Sequence, residues 1–193
     1  MIHCLRRLRR RLRRDARGVS AIEFAILLPM LITFVIGSIE VTFKIWSTQK
    51  AEKLAVTLSD VVAQSQTVTS SDLAQLTGAV GKIMEPFAFG PDAGKVIITS
   101  VYVPQDSTIA KVNWQCAFPP SGAFVAASSL GEEGENAQLP AGFTMAPRDN
   151  VIVAEVFYQY EPVAKGMLFD PSTIYRRAMF KPRLGALTTD PGC

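Results

Sequence analysis

Arg14–Pro29 reads RDARGVSAIEFAILLP, and in it Glu23 stands five residues after Gly18, at the opening of the chain's long apolar run. From Val19 to Val41 that run carries only two charges, Glu23 and Glu40. As a helix it would extend about 34 Å at 1.5 Å per residue, close to the roughly 30 Å hydrocarbon core of a bilayer. An ionised carboxylate at central membrane depth costs about 2.5–3.5 kcal/mol. Glu23 therefore needs either a cationic partner or a place near the headgroups.

Outward toward the start, residues 1–18 hold eight arginines, Arg6, Arg7, Arg9, Arg10, Arg11, Arg13, Arg14 and Arg17, against one acid, Asp15. The whole chain has 20 basic and 17 acidic side chains, so residues 19–193 keep 12 and 16, a net of −4. The positive balance belongs to the leader alone. A basic arm that runs straight into an apolar span reads as a membrane anchor or targeting segment, and not as a nucleic-acid arm. Arginines before the span set the N-terminus in the cytoplasm and the body outside it. Leu5, Leu8 and Leu12 among those arginines form a short amphipathic stripe suited to anionic lipid.

Outward toward the end, the helical pattern does not stop. Phe43, Trp46, Leu54, Leu58, Val61 and Val62 recur near helical spacing and mark one apolar stripe. No A-x-A site follows the apolar core, and Ile36-Gly37-Ser38 is a poor substitute. The run is thus the start of a long helix. Processing is expected before it, at Gly18, where a residue without a side chain gives an extendable backbone.

The pattern Gly18-x-x-x-x-Glu23-Phe24 ahead of an apolar helix is similar to the prepilin cleavage motif of type IV pilins. The Glu-Phe pair, with Pro29 soon after, resembles the Tad/Flp branch. The string RGVSAIEFAILLPMLITFVIGSIE, residues 17–40, resembles the N-terminus of TadE-like (TadE/TadF) minor pilins, or pseudopilins. IYRRAMFKPR, residues 174–183, is similar to that family less specifically. The resemblance implies a part in Tad pilus assembly, and cutting after Gly18 by a prepilin peptidase. It implies other major and minor pilins, the pilus assembly platform and inner-membrane lipid as partners, with no nucleic acid and no cofactor. The new α-amine of Val19 would meet Glu23 of a neighbouring subunit, with Phe24 beside it, and so set axial register. Pro29 removes the donor to the Ala25 carbonyl and is expected to kink or loosen the helix.

The expected fold is α+β and pilin-like, a long N-terminal transmembrane helix continuing into a periplasmic domain with a small antiparallel β-sheet. Its divisions are a basic leader over 1–18, a span over 19–41 and a periplasmic or extracellular domain over 42–193. A second helix is predicted over Ser71–Met84 behind the cap-like Ser70-Ser71-Asp72. Strands are predicted over Val96–Val103, around Val112–Phe118, over Val151–Tyr160 and over Thr173–Phe180. In the second, Val112, Trp114, Cys116 and Phe118 would share the buried face. In the third, Ile152, Ala154, Val156, Tyr158 and Tyr160 would share one face, with Glu155 and Gln159 on the other. Residues 119–150 carry loop signals.

Catalytic and metal constellations are sparse. The single histidine, His3, lies in the leader, so the body can host neither a Ser-His-Asp nor a Cys-His arrangement. No Gly-x-x-x-x-Gly-Lys loop occurs, and the acidic stretch Gly131–Asn136 lacks the alternating spacing of a calcium loop. Cys4 would stay with the leader. Cys116 and Cys193 would both reach an oxidising compartment and could pair there. An inward-facing Cys116 also fits a buried free thiol. Two cysteines alone do not complete a tetrahedral zinc site. Besides a pilus-assembly subunit, an uncleaved single-pass protein with a periplasmic binding domain fits these features. An enzyme is not expected.

Overall fold

The computed structural model describes residues 19–164, 166 and 169–193, so Gly18 and the arginine leader lie outside the described residues. Helix α1 (Val19–Ala63) is continuous for 45 residues and passes through Pro29 without interruption. Thr33 donates its hydroxyl hydrogen to the Pro29 carbonyl over 2.9 Å. Residues 19–35 are exposed throughout, whereas the second half buries a seam of Ser47, Ala51, Leu54, Ala55, Leu58 and Val62.

The buried seam shares Leu54, Leu58 and Val62 with the predicted stripe and departs from it at two positions. Trp46 and Val61 are respectively 41% and 37% exposed and sit at its border. Leu54, Leu58 and Val62 of the stripe are buried as expected, and Ser47, Ala51 and Ala55 are further positions at which the helix closes onto the sheet. Burying Leu54 and Leu58 contributes about 1.5–3 kcal/mol each.

The predicted second helix is two helices, α2 (Ser70–Gly78) and α3 (Val80–Met84). Its cap is Thr69, one residue before the predicted Ser70-Ser71-Asp72. The Thr69 hydroxyl accepts from the Asp72 amide at 3.3 Å, and the Asp72 carboxylate accepts from the Thr69 amide at 3.0 Å. This reciprocal arrangement satisfies two donors that a helix start leaves unpaired. Gly78 and Gly81 weaken propagation, and the chain breaks between them at Ala79. Lys50 of α1 donates to the Ile83 carbonyl at 3.0 Å and ties α3 to the long helix.

Four antiparallel strands form one sheet in the order β2-β1-β3-β4: β1 (Gly94–Tyr102), β2 (Lys111–Phe118), β3 (Asn150–Tyr160) and β4 (Ser172–Phe180). Helix α1 lies over β3 and β4. Leu73, Val80, Met84 and Leu187 extend the same core with Val96, Ile98, Trp114 and Cys116. The expected long helix on a small antiparallel sheet is what forms.

One predicted facing needs correction. A bulge in the β1–β2 register pairs Ser100 with Trp114 but Val101 with Val112, leaving Asn113 between them. Val112 consequently turns to the opposite face from Trp114 and Cys116, because one extra residue reverses the alternation. On β3 the predicted alternation holds, and the second face is buried in its turn. Val151 and Val153 pack with Val101, Val112 and Leu130, and Glu155 is fully buried. The cover is the irregular chain between β2 and β3, which contributes Leu130, Leu139, Phe143 and Met145.

The chain after β4 returns across the sheet as a strap. The Leu187 carbonyl accepts from the Trp114 indole at 2.9 Å and from the Ser100 hydroxyl at 2.8 Å. The Leu187 amide donates to Asn150 Oδ1 at 2.8 Å, and the bulged Asn113 donates to the Thr188 carbonyl at 2.6 Å. A Cys116–Cys193 disulfide then closes the strap, with Cα atoms 5.7 Å apart.

Candidate functional site

The first half of α1 presents the largest chemical anomaly in the molecule. Its most apolar 18-residue window has a mean hydropathy of 2.3 and no residue buried in the protein. By length and composition this helix can cross a membrane. Val19 is its first residue and is exposed, as are Glu23 and Phe24. Glu23 follows Val19 by four positions, so both lie on one helix face about 6 Å apart along the axis. Glu23 makes no hydrogen bond or ion pair among the described residues.

Glu40, the second acid of the run, meets the opposite fate. It is fully buried, and its Oε2 accepts from the Tyr160 hydroxyl at 3.1 Å. Its Oε1 accepts from the Ala164 amide. The nearby Lys44 ammonium lies 4.3 Å from the centre of the Phe169 ring and 5.8 Å from that of Tyr160. Burial, then the bonded Glu40 carboxylate, push the Tyr160 phenol up to about 12. A buried carboxylate left without donors would be strongly unfavourable. This one fastens the C-terminal end of β3 to α1 just where the apolar run stops.

Glu155 has an equivalent role on the far face of the sheet. Its Oε1 accepts from the Ser129 amide at 3.0 Å, the Ser129 hydroxyl at 2.6 Å and the Tyr175 hydroxyl at 2.7 Å. Ser128 donates to its Oε2. Burial is the main cause of the upward shift of the Tyr175 phenol, and Glu155 adds to it. Both carboxylates are occupied as acceptors, and the donors come from elements distant in the chain. They serve to fasten the covering loops.

Residues 18–57 match the family model described as TadE-like protein. This segment is TadE-like. No curated protein and no solved structure matches the chain. The TadE-like match begins at Gly18, runs through Val19, Glu23, Phe24 and Glu40, and ends within the part of α1 that packs on the sheet. It supports association with a Tad pilus system and with a membrane through one N-terminal apolar helix. The sheet, its covering chain and the strap lie beyond the matched residues.

Of the predicted site residues, Val19, Glu23 and Phe24 lie together at the exposed start of α1, while Gly18 is outside the described residues. Cys116 is buried on β2 and bridged to Cys193. Sequence reasoning missed the Glu40–Tyr160 contact. Its available signal was a second acid in an apolar run, together with a tyrosine on the inward face of a strand.

Proposed function

We propose that the chain is a minor pilin (pseudopilin) taking part in the assembly of a bacterial Tad/Flp type IV pilus. The observation carrying this reading is the TadE-like match laid on a helix whose residues 19–35 are all exposed. In this reading the chain enters the inner membrane with its arginines cytoplasmic, and residues 42–193 form a periplasmic domain. A prepilin peptidase hydrolyses the Gly18–Val19 bond, leaving a carboxylate on the leader and an α-amine on Val19. That amine is a cation made at membrane level.

Glu23 then has a partner. Its carboxylate pairs with the Val19 amine of an adjoining pilin, which offsets the cost of an acid in lipid and fixes how far one helix slides along the next. Phe24 packs beside the pair. The oxidising side of the membrane is where a Cys116–Cys193 bridge would persist. The role is that of a structural partner to other pilins and to the assembly platform, with no catalytic step of its own.

N-terminal sequencing of protein extracted from membranes of peptidase-containing cells tests the reading. A mature chain starting at Val19 is expected, and replacing Gly18 by a bulky residue should block cutting. Glu23→Ala should be cut normally but assemble poorly. Working pili built from subunits that retain the arginine leader would overturn the proposal.

A further inference from the structure

The apolar surface of this protein does not end with the span. Val41 and Ile45 are exposed on one side of α1, and Trp46 is exposed on another. The Trp46 ring stacks with Phe43 at 6.2 Å between centres and meets the Phe87 ring edge-on at 5.4 Å. On a third side, the segment after β3 is drawn against the helix by the Ala164–Glu40 bond, and its Val163 is 72% exposed. Phe169, of the same segment, lies under the Lys44 ammonium. Together these groups ring the helix at one level, although they come from three separate parts of the chain.

We infer that this ring is a membrane-interface collar, which seats the domain in the headgroup layer of the leaflet that α1 leaves. The inference rests on the reading of α1 as a membrane-spanning helix. Its first support is continuity, since Val41 and Ile45 prolong the exposed apolar surface of the span, and the exposed Ser38 and Thr42 beside them turn their hydroxyl hydrogens back onto the Val35 and Ser38 carbonyls of the same helix. The second is level. Trp46 lies five residues past Val41, about 7.5 Å along the axis, and the interfacial layer on each side of the hydrocarbon core is about 5–8 Å thick. The third is direction. Helix side chains tilt toward the N-terminus, so the Trp46 ring leans back toward the span, as its stacking on Phe43 records.

Chemistry favours the same occupant. Tryptophan and tyrosine concentrate where an apolar body meets a wet polar edge, and a lysine there keeps its stem in apolar surroundings with its ammonium among phosphates. Trp46, which is exposed, and Lys44 supply this combination at the proposed level. Glu40 takes a positioning role in the collar. By accepting from Tyr160 and Ala164 it holds the segment bearing Val163 against the helix at the right depth.

Fluorescence quenching of the full chain in vesicles of phosphatidylethanolamine and phosphatidylglycerol tests the collar. The chain has two tryptophans, and Trp114 is fully buried. The signal lost in Trp46→Phe therefore isolates the exposed indole. Lipids brominated near the glycerol backbone should reduce the Trp46 component about twofold, with a smaller effect from bromines near the chain ends and from aqueous iodide. A Trp46→Phe, Phe34→Trp variant reports the span separately, from about 10 Å below Val41. Iodide quenching of Trp46 with deep-lipid quenching of the Phe34→Trp indole would overturn the collar and leave the anchor intact. Iodide quenching of both would remove the membrane reading along with it. A Trp46 reached by neither lipid nor iodide would be covered by protein, and that too overturns the collar.

Discussion

The Tyr160 hydroxyl lies 3.1 Å from Glu40 Oε2, joining the last residue of β3 to a helix residue 120 positions earlier. With the Ala164 amide on the other oxygen, this contact fixes where the domain leaves the long helix. Tyr160→Phe removes one donor from a fully buried carboxylate and should destabilise the full chain by about 1–3 kcal/mol. Denaturant unfolding in detergent micelles measures it. Glu40→Gln, which keeps an acceptor oxygen, should cost less than Glu40→Ala. An equal loss in both would show that packing, and not the hydrogen bonds, holds the junction.

The same tyrosine makes the fold sensitive to base. Its folded value of about 12 is above the unfolded value of 10.0, so the folded state holds the proton more tightly. The stabilisation is fully present below pH 10.0 and is lost as pH rises from there through about 12. Tyr158 and Tyr175 are also shifted upward, chiefly by burial, and reinforce the trend. Absorbance titration should show delayed tyrosinate formation until the protein opens. Tyr160→Phe should flatten the alkaline part of the stability profile.

Cys193→Ser should cost about 2–4 kcal/mol by freeing a loop with a sequence separation of 77. Reductant should lower the unfolding midpoint of the parent chain toward that of the variant and leave the variant unchanged. If reductant leaves the parent midpoint where it was, the bridge contributes nothing to stability. Hydrogen exchange at Leu187 should rise with reduction, because its amide bond to Asn150 lies within the strap that the bridge closes.

Glu155→Gln should loosen the cover on the outer face of the sheet. The carboxylate accepts from the fixed Ser129 amide and from three hydroxyls. An amide would present N–H groups where acceptors are required, at a cost of about 1–3 kcal/mol. Faster exchange at Ser129 and Leu130, with little change in β1, is the expected signature. A variant with unchanged protection would mean that Leu130 and its apolar neighbours hold the cover alone.

The long helix was legible because its signal is local. An unbroken apolar run followed by a helical stripe depends only on neighbours within a few turns, and α1 spans both. Strand positions were legible for the same reason, within one or two residues at most ends. The facing of Val112 was not, since it depends on a bulge that forms only when β2 pairs with β1. The face of Glu155 was legible from the alternation, but its burial was not, because an aperiodic stretch supplies the cover. The start of α1 announced Glu23 by its neighbours in sequence. Glu40 found its partner across 120 positions, where no local pattern reaches.

The order of the two bridging cysteines along the chain has a consequence for biogenesis. A ribosome delivers Cys116 before β3 and β4 exist, and its partner only after both have been made. For that interval the thiol must wait unpaired on a half-built sheet, open to small oxidants and to foreign thiols. Closure can therefore come only after all four strands have been synthesised. A mixed disulfide formed at Cys116 in that interval passes to the native bridge when the Cys193 thiolate attacks it and the foreign thiol leaves.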